Sequence, residues 1–190
     1  MTLNIPTLLT LARIAIIPVF LLVFYLPFAW GHIAAALLFA LAGLTDWLDG
    51  YLARTLDQTS RFGAFLDPVA DKLMVAAALV VLVDANPVPL SAVVVALPAI
   101  VIIGREITIS ALREWMAVIG ESARVAVSWI GKVKTTAQMI AIFLLLWRDP
   151  IFGLPTAWIG LILLYLAALL TLWSMWRYLR AAWPTLMDDG

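Results

Sequence analysis

The chain has 190 residues, 65% of them hydrophobic, and its 12 basic residues balance its 12 acidic ones. A mean hydropathy of +1.06 excludes an ordinary soluble domain, which is nearer half apolar, and the missing basic excess argues against nucleic-acid binding. With no cysteine there is no disulfide framework, no thiolate zinc site and no thiol nucleophile.

A membrane-crossing helix takes about 20 apolar residues, and six such segments follow one another, at 7–28, 32–54, 63–83, 88–115, 125–147 and 155–179. Turn-forming residues break them: Pro27 and Gly31, the run 57–60, Asn86-Pro87, Gly120 and Asp149-Pro150. No linker is long enough to separate a second domain from the first. The expected fold is therefore all-α, a six-transmembrane-helix bundle forming one domain over 1–190. No Lys or Arg precedes Arg13, so the first segment reads as a retained helix rather than a cleaved leader.

Every Lys and Arg except Arg148 falls toward the end of the bundle that holds both termini. By the positive-inside rule that end is cytoplasmic. Trp30 and Trp147 then mark the outer interface, and Trp115, Trp176 and Trp183 the inner one.

Ten charges nevertheless lie inside the segments, clear of their last few residues: Arg13, Asp46, Asp49, Asp67, Asp71, Lys72, Arg105, Glu106, Lys132 and Lys134. Each costs about 2.5–3.5 kcal/mol at a bilayer centre, so together they mark a functional site. At 1.5 Å per residue, Asp46, Asp71, Arg105 and Lys132 each lie about 12 Å from the inner end of their helix. Charges of four helices at one depth imply a polar cavity open to the cytoplasm. Asp46, Asp49, Gly50, Ala53 and Arg54 share one helical face, and Gly63, Asp67 and Asp71 form a stripe on the next helix. The short 55–62 connection makes these two helices antiparallel neighbours, so the stripes are expected to face each other. Four carboxylates held together need positive charge among them, and an all-oxygen set suits one or two hard divalent cations.

Asp46-x-x-Asp49-Gly50-x-x-Ala53-Arg54, eight residues, then Gly63-x-x-x-Asp67-x-x-x-Asp71 resembles in full the signature of the CDP-alcohol phosphatidyltransferases. The resemblance extends to Asn4-Ile5-Pro6-Thr7 with Arg13, the run 61–72, Gly104-Arg105-Glu106-Ile107, the run 110–115 and the run 131–138, and is weakest after about residue 149. It implies a six-helix, homodimeric enzyme of the bacterial inner membrane that uses Mg²⁺ or Mn²⁺. That enzyme would move the phosphatidyl group of CDP-diacylglycerol to sn-glycerol 3-phosphate, giving phosphatidylglycerophosphate and CMP.

Carried onto this sequence, the resemblance makes Asp46, Asp49, Asp67 and Asp71 the metal ligands, with Asp71 also the general base. Asn4, Thr7, Asp49, Gly50, Ala53, Arg54 and Gly63 would hold CDP-diacylglycerol, with Arg54 on the diphosphate. Arg105, Arg113, Lys132 and Lys134 are the expected cations for the acceptor's phosphate. Arg13 would contact the lipid substrate or snorkel, and Lys72, turned about 100° from Asp71, would only balance charge. Inositol phosphate, serine or phosphatidylglycerol are alternative acceptors within the family; the basic cluster disfavours serine. A cation-coupled transporter would need internal repeats, and none is visible. An aspartate-rich prenyl transferase would leave Gly50, Ala53, Arg54 and Gly63 without a role.

Overall fold

The computed structural model describes residues 5–55, 61–120 and 129–187. It is built of helices in these stretches, with α1 Ile5–Tyr25, α2 Gly31–Thr55, α3 Arg61–Ala85, α4 Val93–Val118, α5 Trp129–Trp147 and α6 Thr156–Leu186. The six expected segments are thus six helices. α4 starts five residues later than expected, because Pro87 and Pro89 flank Val88 and Asn86 takes a left-handed φ of 41°; a following proline disfavours helical backbone at the residue before it. α6 runs further than expected, past Pro184.

α1, α2, α4 and α6 contain stretches long and apolar enough to cross a membrane: Thr7–Tyr25, Gly31–Asp49, Val93–Val118 and Thr156–Pro184. Among their described residues α3 and α5 hold no such stretch. Asp67, Asp71, Lys72 and Asp84 interrupt α3, and the apolar part of α5 is the shorter Val133–Trp147.

One buried core, with Phe20, Phe39, Leu79, Leu82, Ile102, Ile142, Leu145 and Leu164 at its centre, joins all six helices. A smaller cluster of Ile109, Leu112, Met116, Tyr178 and Ala182 fastens α4 to α6. α5 packs most extensively on α6, and α1 on α2; α3 lies against α1 and α4, and touches α2 only lightly. The α5–α6 contact is close because of Gly160, where an added Cβ would stand 2.9 Å from Leu145 Cγ and 3.0 Å from the Ala141 carbonyl oxygen.

The end of the bundle that carries the 26–30, 86–92 and 148–155 connections is tied by polar side chains. Tyr25 donates to Asp84 at 2.9 Å, and His32 Nε2 meets Asp149 Oδ2 at 2.8 Å. This is the end remote from the intramembrane charges, so the lone histidine stands apart from them.

Candidate active site

Asp46 and Asp49 on α2 and Asp67 and Asp71 on α3 do come together, but not face to face as expected. α1 packs on both helices and inserts Arg13 between the two stripes. Its Nη1 donates to Asp46 Oδ1 at 3.0 Å and to Asp71 Oδ1 at 2.7 Å, and its Nη2 donates to Asp49 Oδ2. One turn earlier on α1, Thr10 donates to Asp67. Arg13 is 1% exposed, so it does not snorkel. A planar guanidinium with five donors meets three carboxylates from two helices at once, a role that neither lipid contact nor snorkelling anticipates.

Does a divalent ion fit here? Asp49 is buried, whereas the side chains of Asp46 and Asp71 are each 45% exposed. These two and Arg13 line a cavity of about 150 Å³ with Gly43 and Thr135. Four carboxylates against one guanidinium leave three negative charges uncompensated within this cluster, and its ligating atoms are hard oxygens, the set that Mg²⁺ and Mn²⁺ take. Among the described residues no three carboxylates already converge as a ligand cage, because Arg13 divides them. The donor chemistry fits: Asp46 and Asp71 each give Arg13 one oxygen and line the cavity beside it.

A second cluster lies across α4, α5 and α6. Glu106 Oε1 accepts from Arg105 at 2.8 Å and from Lys134 at 2.9 Å. Arg105 also donates to Ser174 at 3.3 Å. Its guanidinium stands 5.9 Å from the centroid of the Tyr178 ring, and that of Arg113 stands 5.3 Å from it. Arg113 donates to the Tyr178 hydroxyl at 3.3 Å. Arg105 and Lys134 are buried, at 8% and 2% exposure. Among the described residues, three cations against one carboxylate leave this cluster positive, and the Nε of both arginines is buried without a partner. That is a site prepared for an anion.

The clusters are joined. A cavity of about 230 Å³ runs from Asp71 and Lys72 on α3 to Glu106 on α4 and to Thr135 and Gln138 on α5. It shares Asp71, Val75 and Thr135 with the first cavity, so Asp71 stands on the wall of both. Lys72 faces this second cavity and donates to Ser110; its turn away from Asp71, expected only to balance charge, brings it to the other chamber. An apolar groove of about 360 Å³ between α2 and α5, bounded by Phe39, Gly43, Met139 and Phe143, borders the acidic cavity at Gly43, Thr135 and Met139.

Thr7 and Gly63 are buried near the first residues of α1 and α3. Asn4 lies outside the described residues. So do the side chains of Ala53, Arg54 and Lys132 and the surroundings of Gly50, although these four backbones are helical.

The sequence profile of the CDP-alcohol phosphatidyltransferases matches residues 3–173. The chain belongs to the CDP-alcohol phosphatidyltransferase family. A curated relative from Pectobacterium atrosepticum is 57% identical over 188 residues, covering 99% of this chain and all of its own length. Relatives from Salmonella paratyphi A and Escherichia coli are 56% identical over 192 residues, with both partners fully covered. All three carry the name CDP-diacylglycerol–glycerol-3-phosphate 3-phosphatidyltransferase. Enzymes of this family generally use divalent metals.

Proposed function

We propose that this chain transfers the phosphatidyl group of CDP-diacylglycerol to sn-glycerol 3-phosphate, releasing CMP and forming phosphatidylglycerophosphate. The observation that carries this reading is the pair of joined cavities, with Asp71 on the wall of both: one holds Asp46 and Arg13, and the other reaches Glu106, the partner of Arg105 and Lys134 in the cationic cluster. End-to-end identity to relatives named for this reaction supports the choice of substrates.

The chain's own residues divide the work. Asp46, Asp49, Asp67 and Asp71 would hold Mg²⁺ or Mn²⁺, which when bound offsets the charge of the diphosphate and aligns attacking and leaving oxygens. Asn4, Thr7, Asp49, Gly50, Ala53, Arg54 and Gly63 form the CDP-diacylglycerol side of the site. The apolar groove beside Gly43 offers the acyl chains a path into lipid. Arg105, Arg113, Lys132 and Lys134 take the acceptor's phosphate. Asp71 removes the proton from the primary hydroxyl as its oxygen bonds the β-phosphorus, and the bond from that phosphorus to the CMP oxygen breaks.

A homodimer in the bacterial inner membrane, with both termini cytoplasmic and one domain over 1–190, belongs to the same reading. The distribution of Lys and Arg supports its orientation. The test is transfer of radiolabelled phosphatidyl groups by purified protein with Mg²⁺ or Mn²⁺ and a panel of acceptors. Labelled phosphatidylglycerophosphate from glycerol 3-phosphate is expected; product only with inositol phosphate, serine or phosphatidylglycerol would refute the acceptor.

A further inference from the structure

Gln138 takes no part in the roles assigned so far. It lies on α5, in the stretch with a strong apolar character, and is 4% exposed. Its carbonyl oxygen Oε1 is buried and accepts no hydrogen bond from the described residues. A buried amide oxygen without a donor is costly, and such orphans in a native site call for an explanation, an absent ligand being a common one. Gln138 also lines the cavity that holds Asp71, Lys72 and Glu106. The missing donor can therefore come from a molecule in that cavity.

The chemistry of the donor follows from where Gln138 stands. Lys134, which pairs with Glu106 beside Arg105, is four residues before it on the same face, about 6 Å along the axis. Asp71 lines the same cavity from α3. Arg105 and Lys134 reach this cavity through their shared partner Glu106, which lines it from α4. An acceptor with its phosphate drawn to these cations and its reacting hydroxyl at Asp71 would carry its middle atom past Gln138. A carbonyl oxygen accepts and cannot donate, so it selects a hydroxyl there over an ether, a ketone or a methylene. We propose that Gln138 is a specificity-determining residue that accepts a hydrogen bond from the secondary hydroxyl of a phosphorylated three-carbon acceptor. The proposal rests on the acceptor reading under Proposed function.

Two acceptors decide it: sn-glycerol 3-phosphate, and 3-hydroxypropyl phosphate, the same molecule without its secondary hydroxyl. Each is assayed with wild type, Gln138→Met and Gln138→Leu. Methionine keeps the length and flexibility of glutamine without the amide. The quantity read is the ratio of kcat/KM for the two acceptors within each protein, so any loss of folded enzyme cancels. Wild type should prefer glycerol 3-phosphate by ~100-fold or more, since a site built to bond a hydroxyl rejects the analogue lacking it. In Gln138→Met and Gln138→Leu the preference should fall below about fivefold, mainly by loss of activity on glycerol 3-phosphate. A wild-type ratio near one, or a ratio in both variants within twofold of wild type, overturns the assignment. If wild type uses neither acceptor, the functional reading fails and the role of Gln138 fails with it. Arg105→Ala separates the two cases further: it should raise KM for both acceptors alike, because both carry the phosphate.

Discussion

Arg13 shows how one side chain decides the character of the acidic site. It is 1% exposed and shares its donors among Asp46, Asp49 and Asp71, of which Asp49 is itself buried. Arg13→Gln leaves Asp49 charged, buried and unpaired, a change that costs about 3–5 kcal/mol where one partner of a buried pair is removed. Thermal unfolding in detergent should show a clear fall in Tm. Mn²⁺ should recover part of it, because a bound cation replaces the lost charge; no recovery would speak against metal at these carboxylates. Asp71→Asn is the contrasting change. Asp71 is half-exposed in its cavity, so the variant should unfold within a few degrees of wild type and lose transfer activity by about 10²-fold or more. Near-normal turnover would remove Asp71 as the base. The aspartates were legible in the sequence because charge inside an apolar helix is conspicuous and their spacing keeps them on one face. The role of Arg13 was not, since it depends on α1 lying between α2 and α3. Gln138 was silent for another reason: a neutral amide in a helix breaks no pattern.

Among the elements, α6 does more than close the bundle. The family match ends at residue 173, yet Ser174 and Tyr178, one turn apart beyond it, hold Arg105 and Arg113. The Tyr178 ring contacts both guanidinium groups, which stand two turns apart on α4. It thereby fixes the separation of the two cations, and each such contact contributes about 0.5–2 kcal/mol. Tyr178→Leu keeps the apolar packing on Ile109 and Met116 but removes ring and hydroxyl. KM for glycerol 3-phosphate should rise ~10-fold while KM for CDP-diacylglycerol stays within about twofold. Tyr178→Phe retains the ring and should recover most of the loss. Equal rises in both KM values, or no recovery by Phe, would reduce Tyr178 to packing. The helices themselves were readable from apolar runs and turn residues, to within a few positions except at Pro87–Pro89 and the end of α6. The partners of each helix were not readable, because similar apolar faces give no address; only side-chain fit, as at Gly160 against Leu145, selects α5 for α6.

For the whole molecule, a net charge of zero conceals a strong separation. Carboxylates gather between α1, α2 and α3, and cations between α4, α5 and α6, with Asp71 on the wall of both the acidic cavity and the one that reaches Glu106 of the cationic cluster. In the proposed reaction both substrates carry phosphate, and a hydrophilic acceptor would enter from the aqueous side that the cavities face, so orientation and activity are linked. The remote end is held by Tyr25–Asp84 and His32–Asp149, and beyond it Phe152 is 99% exposed. At the opposite end Met187 follows α6 and is 60% exposed. The chain contains no cysteine, so single replacements can be labelled without background. In intact spheroplasts a membrane-impermeant maleimide should label Phe152→Cys and leave Met187→Cys untouched until the membrane is opened. Both replacements lie away from the two clusters and should leave transfer activity near wild type, which confirms that the labelled population is folded. The reverse labelling pattern would turn the basic end outward, against the positive-inside rule, and would place the acceptor site on the wrong face for a phosphorylated metabolite of the cytoplasm.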